Sequence, residues 1–318
     1  MKNMKFLIFG AGVLGSLYAA RLHEAGIETA LVARGQRYKD IKEPGIVLEN
    51  FYTGERTTTH VRVLEEMPRD EYFDVCVVLI QKTQLDSALP ALAANPHIPT
   101  FLFLNNTAEG PGVMIDALGR DRVMMGHVNA GGERIGPVVH YMVADKMPLG
   151  ELDGSISQRL QQIAGTFKAA GFEVELNKNI DSWKRYHVAL AVPFAYAMYK
   201  VDCCNYRLSR NRETVRKSIR GIREAFQVLR TLGYPIEPPK FRLIFAIPDF
   251  ILVPLFQWVM RMKIADIGMA RHLRNARDEM DQLSKEFFAL VDKSGMETPT
   301  LNELRRAAEP SVLIPAAE

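Results

Sequence analysis

The sequence predicts an α/β protein, with a Rossmann-type doubly wound sheet domain followed by an all-helical domain. Three observations predict it. An apolar run, Lys5 to Phe9, passes directly into Gly10-Ala11-Gly12-Val13-Leu14-Gly15. Apolar strand-like runs then alternate with helical patterns. From Asp181 onward long helical segments follow without strand signals. The boundary is placed near Lys178, giving a dinucleotide-binding domain over 1–178 and a helical substrate and dimerisation domain over 179–318.

In chain order, Lys5 to Phe9 is the first strand, Ser16 to Ala25 an amphipathic helix stopped by Gly26, and Ile27 to Ala33 a second strand. Ile46 to Leu48 and Thr58 to Val63 read as strands. Phe73 to Ile80 is a continuous apolar run of the kind found in a central parallel strand. Leu85 to Ala94 fits a helix, and Thr100 to Leu104 a further buried strand. Val123 to Gly150 is glycine-rich and suggests short strands. Ser155 to Ala170 carries a helical stripe of Leu160, Ile163, Phe167 and Ala170, and Phe172 to Leu176 closes the domain as a strand. Asp181 to Tyr199, Arg210 to Leu232 and Ala265 to Ser294 read as helices. The tail after Ala307 reads as extended.

At 318 residues the chain can bury a sizeable core, and its formal charge of +3 comes from scattered Lys and Arg, with no nucleic-acid footprint. Three cysteines, Cys76, Cys203 and Cys204, form neither a metal-ligand spacing nor a disulfide set and read as packing residues of a reducing compartment. Because Met1 to Lys5 leads straight into the first strand, no signal peptide is expected and a cytoplasmic protein is predicted. Phe241 to Met262 is apolar but interrupted by Pro248, Asp249 and Pro254, so no transmembrane span is expected. It reads as a pair of short buried helices at a subunit interface of a homodimer. Interfacial membrane contact, or a lid over an apolar substrate, is the other reading.

The glycine spacing is the chemical signal. Gly10 permits a tight strand-to-helix turn, Gly12 lets backbone approach a pyrophosphate, and Gly15 lets the helix pack closely on the sheet. Ala11, Val13 and Leu14 complete a loop that puts phosphate on the helix N-terminus. Where an NAD site places Asp or Glu at the end of the second strand, this chain has Ala33-Arg34-Gly35. A guanidinium binds a 2′-phosphate that a carboxylate would repel, so NADP(H) is the expected cofactor. Arg37, Tyr38 and Lys39 carry no such positional signal. Lys82 and Asn106 follow strand ends, and ligands of open α/β sheets bind beyond the carboxyl ends of strands.

Taken together, these residues resemble the ketopantoate reductase (2-dehydropantoate 2-reductase) family. The motifs are Gly10 to Gly15, the strand ending Val32-Ala33-Arg34-Gly35, Lys82, Asn105-Asn106 where the family has Gln-Asn-Gly, and Gly295-Met296-Glu297-Thr298-Pro299. The resemblance implies an NADP-dependent oxidoreductase acting on a carbonyl, with Gly10 to Gly15, Arg34, Lys82, Asn106 and Gly132 touching the cofactor. It further implies that Glu279 is the acidic residue that helps bind cofactor and substrate. The family's catalytic helix carries Trp-x-Lys and two asparagines at steps of four. Anchoring on Trp183 puts Arg185, Ala189 and Pro193 there, whereas slipping by one makes Lys184 the lysine with Val188 and Val192 after it. The family's serine falls on Ile267.

Ketone reduction needs a proton donor near the carbonyl oxygen, and a desolvated lysine serves because its pKa falls toward neutrality. Lys184 is the preferred acid. His187, one turn on, is the second candidate, and Arg185 can only stabilise oxyanion charge. The expected activity is NADPH-dependent reduction of a 2-oxo acid or related ketone more apolar than ketopantoate. The alternatives are an inactive NADP(H)-binding sensor or interaction protein and an imine-forming dehydrogenase.

Overall fold

The computed structural model describes residues 4–143 and 146–308. The chain divides into two compact units, one built from the residues up to 185 together with 281–286, the other from 186–280 together with the residues from 287 on. The twelve strands of the first unit are β1 (Lys5–Phe9), β2 (Glu28–Val32), β3 (Ile46–Asn50), β4 (Arg56–Thr59), β5 (Arg62–Leu64), β6 (Val75–Val78), β7 (Phe101–Phe103), β8 (Val123–Gly126), β9 (Ala130–Ile135), β10 (Val138–Val143), β11 (Met147–Gly150) and β12 (Val174–Leu176). Its helices are α1 (Val13–Glu24), α2 (Gly35–Lys42), α3 (Leu85–Ala93), α4 (Gly112–Leu118) and α5 (Gln158–Ala169).

Eight strands form one sheet in the order β12-β11-β8-β7-β6-β1-β2-β5. β1 runs parallel to β2 and β6, β7 runs parallel to β6 and β8, and β11 is antiparallel to β8. The alternation of β1 assigns its two faces. Phe6 and Ile8 enter a core cluster with Leu17 and Tyr18 of α1 and Phe167 of α5, while Leu7 and Phe9 enter another with Leu89 of α3 and Met114 of α4. Helices therefore cover both faces, as a predominantly parallel sheet requires. A second sheet, β4-β3-β10-β9, packs through β9 and β10 on α1. Within the first unit, Tyr18 Oη donates to Asn129 Oδ1 at 2.9 Å from the helix side.

Several elements differ from expectation for local reasons. Thr58 to Val63 is not one strand, because β4 pairs antiparallel with β3 in the small sheet and β5 pairs parallel with β2 in the large one. The chain changes sheets at His60 and Val61. α4 is a helix the sequence pattern does not predict. At the start of α5, Ser157 Oγ accepts from Leu160 N at 3.1 Å, so the helix begins inside the predicted range.

The second unit is helical. Its elements are α6 (Ile180–Tyr199), which it contains from Tyr186 on, α7 (Asn205–Arg210), α8 (Arg212–Thr231), α9 (Leu243–Ala246), α10 (Asp249–Met260), the single turn α11 (Lys263–Ala265), α12 (Arg271–Asn275), α13 (Arg277–Ser294), whose residues 281–286 belong to the first unit, and α14 (Pro299–Ala308). The predicted helix over 210–232 is split, since Asn211 caps α8 by accepting from Thr214 N at 3.0 Å. The predicted helix over 265–294 is broken by a π-turn at Asp266–Ala270 and by Ala276 at φ −122°, ψ 33°. α14 is a further helix beyond those the sequence predicts. Its first turn is held by Glu224 of α8, whose carboxylate accepts from Thr300 N at 3.1 Å and Leu301 N at 2.8 Å, a charge placed favourably at a helix N-terminus. The end of the tail, 309–318, lies outside the described residues. Among the described residues no helix is long and apolar enough to cross a membrane.

Candidate active site

β1 delivers the chain to Gly10, whose φ of +111° and whose missing Cβ, which would lie 2.4 Å from Leu79 O, both require glycine. Gly15 backs onto this turn. A Cβ there would stand 1.7 Å from Gly10 O, so α1 meets the strand end at a distance no side chain allows. Gly12 is different: as the N-cap of α1 it has no side-chain cap, and a Cβ on it meets nothing within 4 Å. The unpaired N–H groups of the first turn, with Ala11, Val13 and Leu14 between the glycines, thus border open space, the arrangement that receives a phosphate. The residues present fit the pyrophosphate of a dinucleotide.

Arg34 follows β2 as the N-cap of α2 and is exposed. Arg37, a position without a strand-end signal of its own, lies in α2 and is tied to the glycine loop. Its Nε donates to Ala11 O at 3.1 Å and its Nη2 to Ser16 Oγ at 2.9 Å, while the buried Nη1 has no protein partner. Burial lowers its pKa, and the charge of Arg134 adds to that effect. Its spacing of one helical turn from Arg34 is the available sequence signal.

Beyond the ends of β6 and β7 lies a buried charge cluster. Lys82 Nζ is 3.1 Å from Glu286 Oε1 and 3.3 Å from Glu109 Oε2, and the side chains of Lys82 and Glu286 are 4% and 1% exposed. The other oxygen of Glu286 accepts from Ala108 N at 2.8 Å and Glu109 N at 3.3 Å. Sequence reasoning does not find Glu286. It sits on α13 among Leu283, Phe287 and Val291, all buried, and a carboxylate at an apolar helical position is the signal that marks it. Asn105 is buried, its Nδ2 donating to Asn106 O at 3.0 Å, and Asn106 is half-buried.

Lys184 is fully buried. Its Nζ donates to Asn105 O and to Gly126 O, each at 2.6 Å, joining the ends of β7 and β8. Burial pushes its pKa down to about 7, opposed by Asp181. An ammonium has three protons to donate, and these two bonds use two of them. Arg185 holds the following loop: Nε is 3.0 Å from Asp181 Oδ2, Nη1 donates to Ala108 O, and Nη2 donates to Glu109 O at 2.8 Å. Lys82, Asn106, Lys184 and Arg185 are therefore brought to one end of the first unit's sheet. Gly132 lies in β9 opposite Tyr141. His187, half-buried, and Glu279, buried, are in the second unit. Ala189 and Pro193 are buried there, with Pro193 Cβ 3.2 Å from where a Cβ on Gly221 would sit. The side chain of Ile267 lies outside the described residues.

Sheet order, glycine cradle and strand-end cluster define a Rossmann-type α/β protein whose cradle fits a dinucleotide. Comparison with known proteins narrows the class. Residues 6–154 match the family model described as ketopantoate reductase PanE/ApbA, and the chain carries a domain of that oxidoreductase family. A 2-dehydropantoate 2-reductase of Aquifex aeolicus is 25% identical over 308 residues, 93% of each chain. One from Nostoc sp. is 26% identical over 196 residues, so the match spans 58% of this chain and only 60% of that relative's length. Among solved structures, a 2-dehydropantoate 2-reductase from Geobacter metallireducens shares the fold with TM-score 0.80 at 17% identity, over 96% of this chain and 99% of that one. A D-mandelate dehydrogenase with NADH and anilino(oxo)acetate shares it with TM-score 0.77 at 15% identity, over 96% and 97%.

The buried ammonium predicts a pH dependence of stability. Because the folded pKa of Lys184 lies below its unfolded value, the unfolded chain binds more protons between about pH 7 and 10.5, so stability rises with pH across that window. Lys184→Met abolishes this contribution. Urea midpoints at pH 6.5, 8 and 9.5 should show the wild type gaining on the variant as pH rises, and a pH-independent difference would contradict the assignment.

Proposed function

We propose that the protein is an NADPH-dependent reductase of a 2-oxo acid or related ketone bulkier or more apolar than ketopantoate. The observation that carries this reading is the open glycine cradle flanked by Arg34 and Arg37, with no carboxylate at the end of β2. Gly10 to Gly15 would hold the pyrophosphate and the two guanidinium groups the 2′-phosphate. Bound there, the nicotinamide supplies hydride. Lys184 supplies the proton. Its folded pKa near neutrality and its third N–H, unused by Asn105 O and Gly126 O, support that role over His187. Lys82, balanced by Glu286, and Asn106 complete the cofactor side, and Arg185 acts by fixing the 108–109 backbone.

Substrate choice follows from what replaces the family's polar groups. Ala189 and Pro193 cannot hydrogen-bond a small polar acid, and an unmatched buried polar group costs about 1–3 kcal/mol. A catalytically silent NADP(H)-binding protein is the second reading, favoured by the engagement of Lys184 and Arg185 with main-chain carbonyls. Turnover of NADPH with a panel of aliphatic and aromatic 2-oxo acids separates the two.

Three outcomes are expected. Arg34→Ala should weaken NADPH binding about tenfold or more, the equivalent of a charged hydrogen bond of roughly 1.5–3 kcal/mol, and leave NADH nearly unchanged; equal affinity of the wild type for both would contradict NADPH selection. Ketopantoate should be reduced poorly, with kcat/KM below the roughly 10⁴ M⁻¹s⁻¹ floor of ordinary enzymes. On a substrate that is turned over, Lys184→Ala should lower kcat while retaining NADPH binding, and full activity would remove Lys184 from the chemistry.

A further inference from the structure

Lys82 stands between two carboxylates of unlike character. Glu286 is buried and fixed: Oε1 lies 3.1 Å from Lys82 Nζ, and Oε2 accepts from Ala108 N at 2.8 Å and Glu109 N at 3.3 Å. Glu109 is held by one contact. Its side chain is 52% exposed, Oε2 accepts from Lys82 Nζ at 3.3 Å, and among the described residues it pairs with no other side chain. The main chain of Glu109, by contrast, is held on both sides, since its N–H donates to Glu286 and its carbonyl accepts from Arg185 Nη2 at 2.8 Å. The carboxylate can therefore leave Lys82 while the loop stays in place, and a half-exposed ion pair of this kind contributes little.

The place of this pair in the fold gives it a use. All of its groups belong to the first unit. Lys82 follows β6, Lys184 holds Asn105 O beyond β7, and β6 and β7 are neighbours in the sheet, so the two ammonium groups stand over adjacent strand ends, where ligands of open α/β sheets bind. The charge of Lys82 accordingly bears on Lys184. Glu286 alone balances the buried ammonium of Lys82, so Glu109 is surplus to the charge balance. What Glu109 supplies is an acceptor on the exposed side of Lys82, and the carboxylate of a ligand offers the same charge and the same acceptor. An ammonium donates in three directions, so such an exchange leaves Lys82 a donor for the cofactor.

We propose that Glu109 is an internal stand-in for the substrate: its carboxylate occupies the anion position on Lys82 and yields it to the carboxylate of a 2-oxo acid. Lys82 then fixes the acid end of the ligand, and Glu109 sets the affinity by competing for the same proton. In a 2-oxo acid the ketone is one bond from the carboxylate, which puts it toward the strand end that Lys184 holds. This inference rests on the 2-oxo acid reading given above, and it adds the residue that receives the acid and the one that competes with it.

Calorimetric titration with 2-oxo-2-phenylacetate, once with NADP⁺ present and once without cofactor, reads this site without turnover. Glu109→Ala should bind the acid about two- to fivefold more tightly than the wild type, because a half-exposed ion pair no longer competes, while the neutral 2-oxo-2-phenylacetamide should not distinguish the two proteins. Glu109→Asp keeps the charge but, one methylene shorter on a pinned backbone, draws back from Lys82, and its affinity should move toward that of Glu109→Ala. Lys82→Met/Glu286→Gln removes the buried pair together, leaving no uncompensated charge, and should weaken binding of the acid about tenfold or more. If that double variant does not fold, the Glu109 series decides by itself. Unchanged or weaker binding by Glu109→Ala, an equal gain for the amide, wild-type affinity in Glu109→Asp, or no binding of the acid by any of the proteins would overturn the proposal. Failure of the reductase reading looks different: NADPH would reduce no 2-oxo acid, with the effect of Glu109→Ala on binding intact.

Discussion

The contact between Gly15 and the main chain at Gly10 is the constraint on which the first unit depends. With room for no side-chain atom between them, α1 can only start where β1 stops. That placement fixes where Tyr18 enters the core beside Phe6 and Phe167, and it fixes where the small sheet lies on α1. It also leaves the N-terminus of α1 uncapped by any side chain. A helix end of this kind is costly to leave unsatisfied and favourable for an anion, so one geometric demand produces both the packing and the binding cradle.

A second set of contacts organises the strand ends with buried charge. Lys184 joins β7 to β8, Arg185 pins the 108–109 carbonyls, and Glu286 takes the neighbouring N–H groups while balancing Lys82. Removing one partner of such a pair is far more damaging than replacing both, because the survivor is left charged and desolvated. The loop that follows β7 is therefore preorganised, with its backbone donors and acceptors already committed. Cys76, by contrast, is an inert packing group, its thiol pushed up by burial.

Much of this is legible in the sequence where local rules and tertiary structure agree. The spacing Gly10, Gly12, Gly15 after an apolar run specifies strand, turn and helix at once, and the structure has β1 and α1 there. The shift from alternating patterns to long helices marks the change to the helical region. Legibility fails where long-range pairing decides. Nothing local separates β4 from β5, because partners distant in sequence choose their sheets. Glu286 carries only the signal of a carboxylate at an apolar helical position, which does not say what it binds, since its partners Lys82 and Ala108 are remote in the chain. Apolar composition suggests burial of Phe241 to Met262, yet α10 is apolar on both faces and only one can be covered by its neighbours in the second unit.

Gly12 offers the most direct test of the central claim, that the open cradle at the start of α1 is a dinucleotide phosphate site. A side chain there meets no protein atom within 4 Å, so Gly12→Val should fold with a wild-type melting temperature while filling the space a pyrophosphate needs. Calorimetric titration of NADPH should give saturable one-to-one binding to the wild type and, because backbone approach to the phosphate is blocked, about a hundredfold weaker binding or less to the variant. Equal binding by both proteins, or no binding by the wild type, would contradict the account.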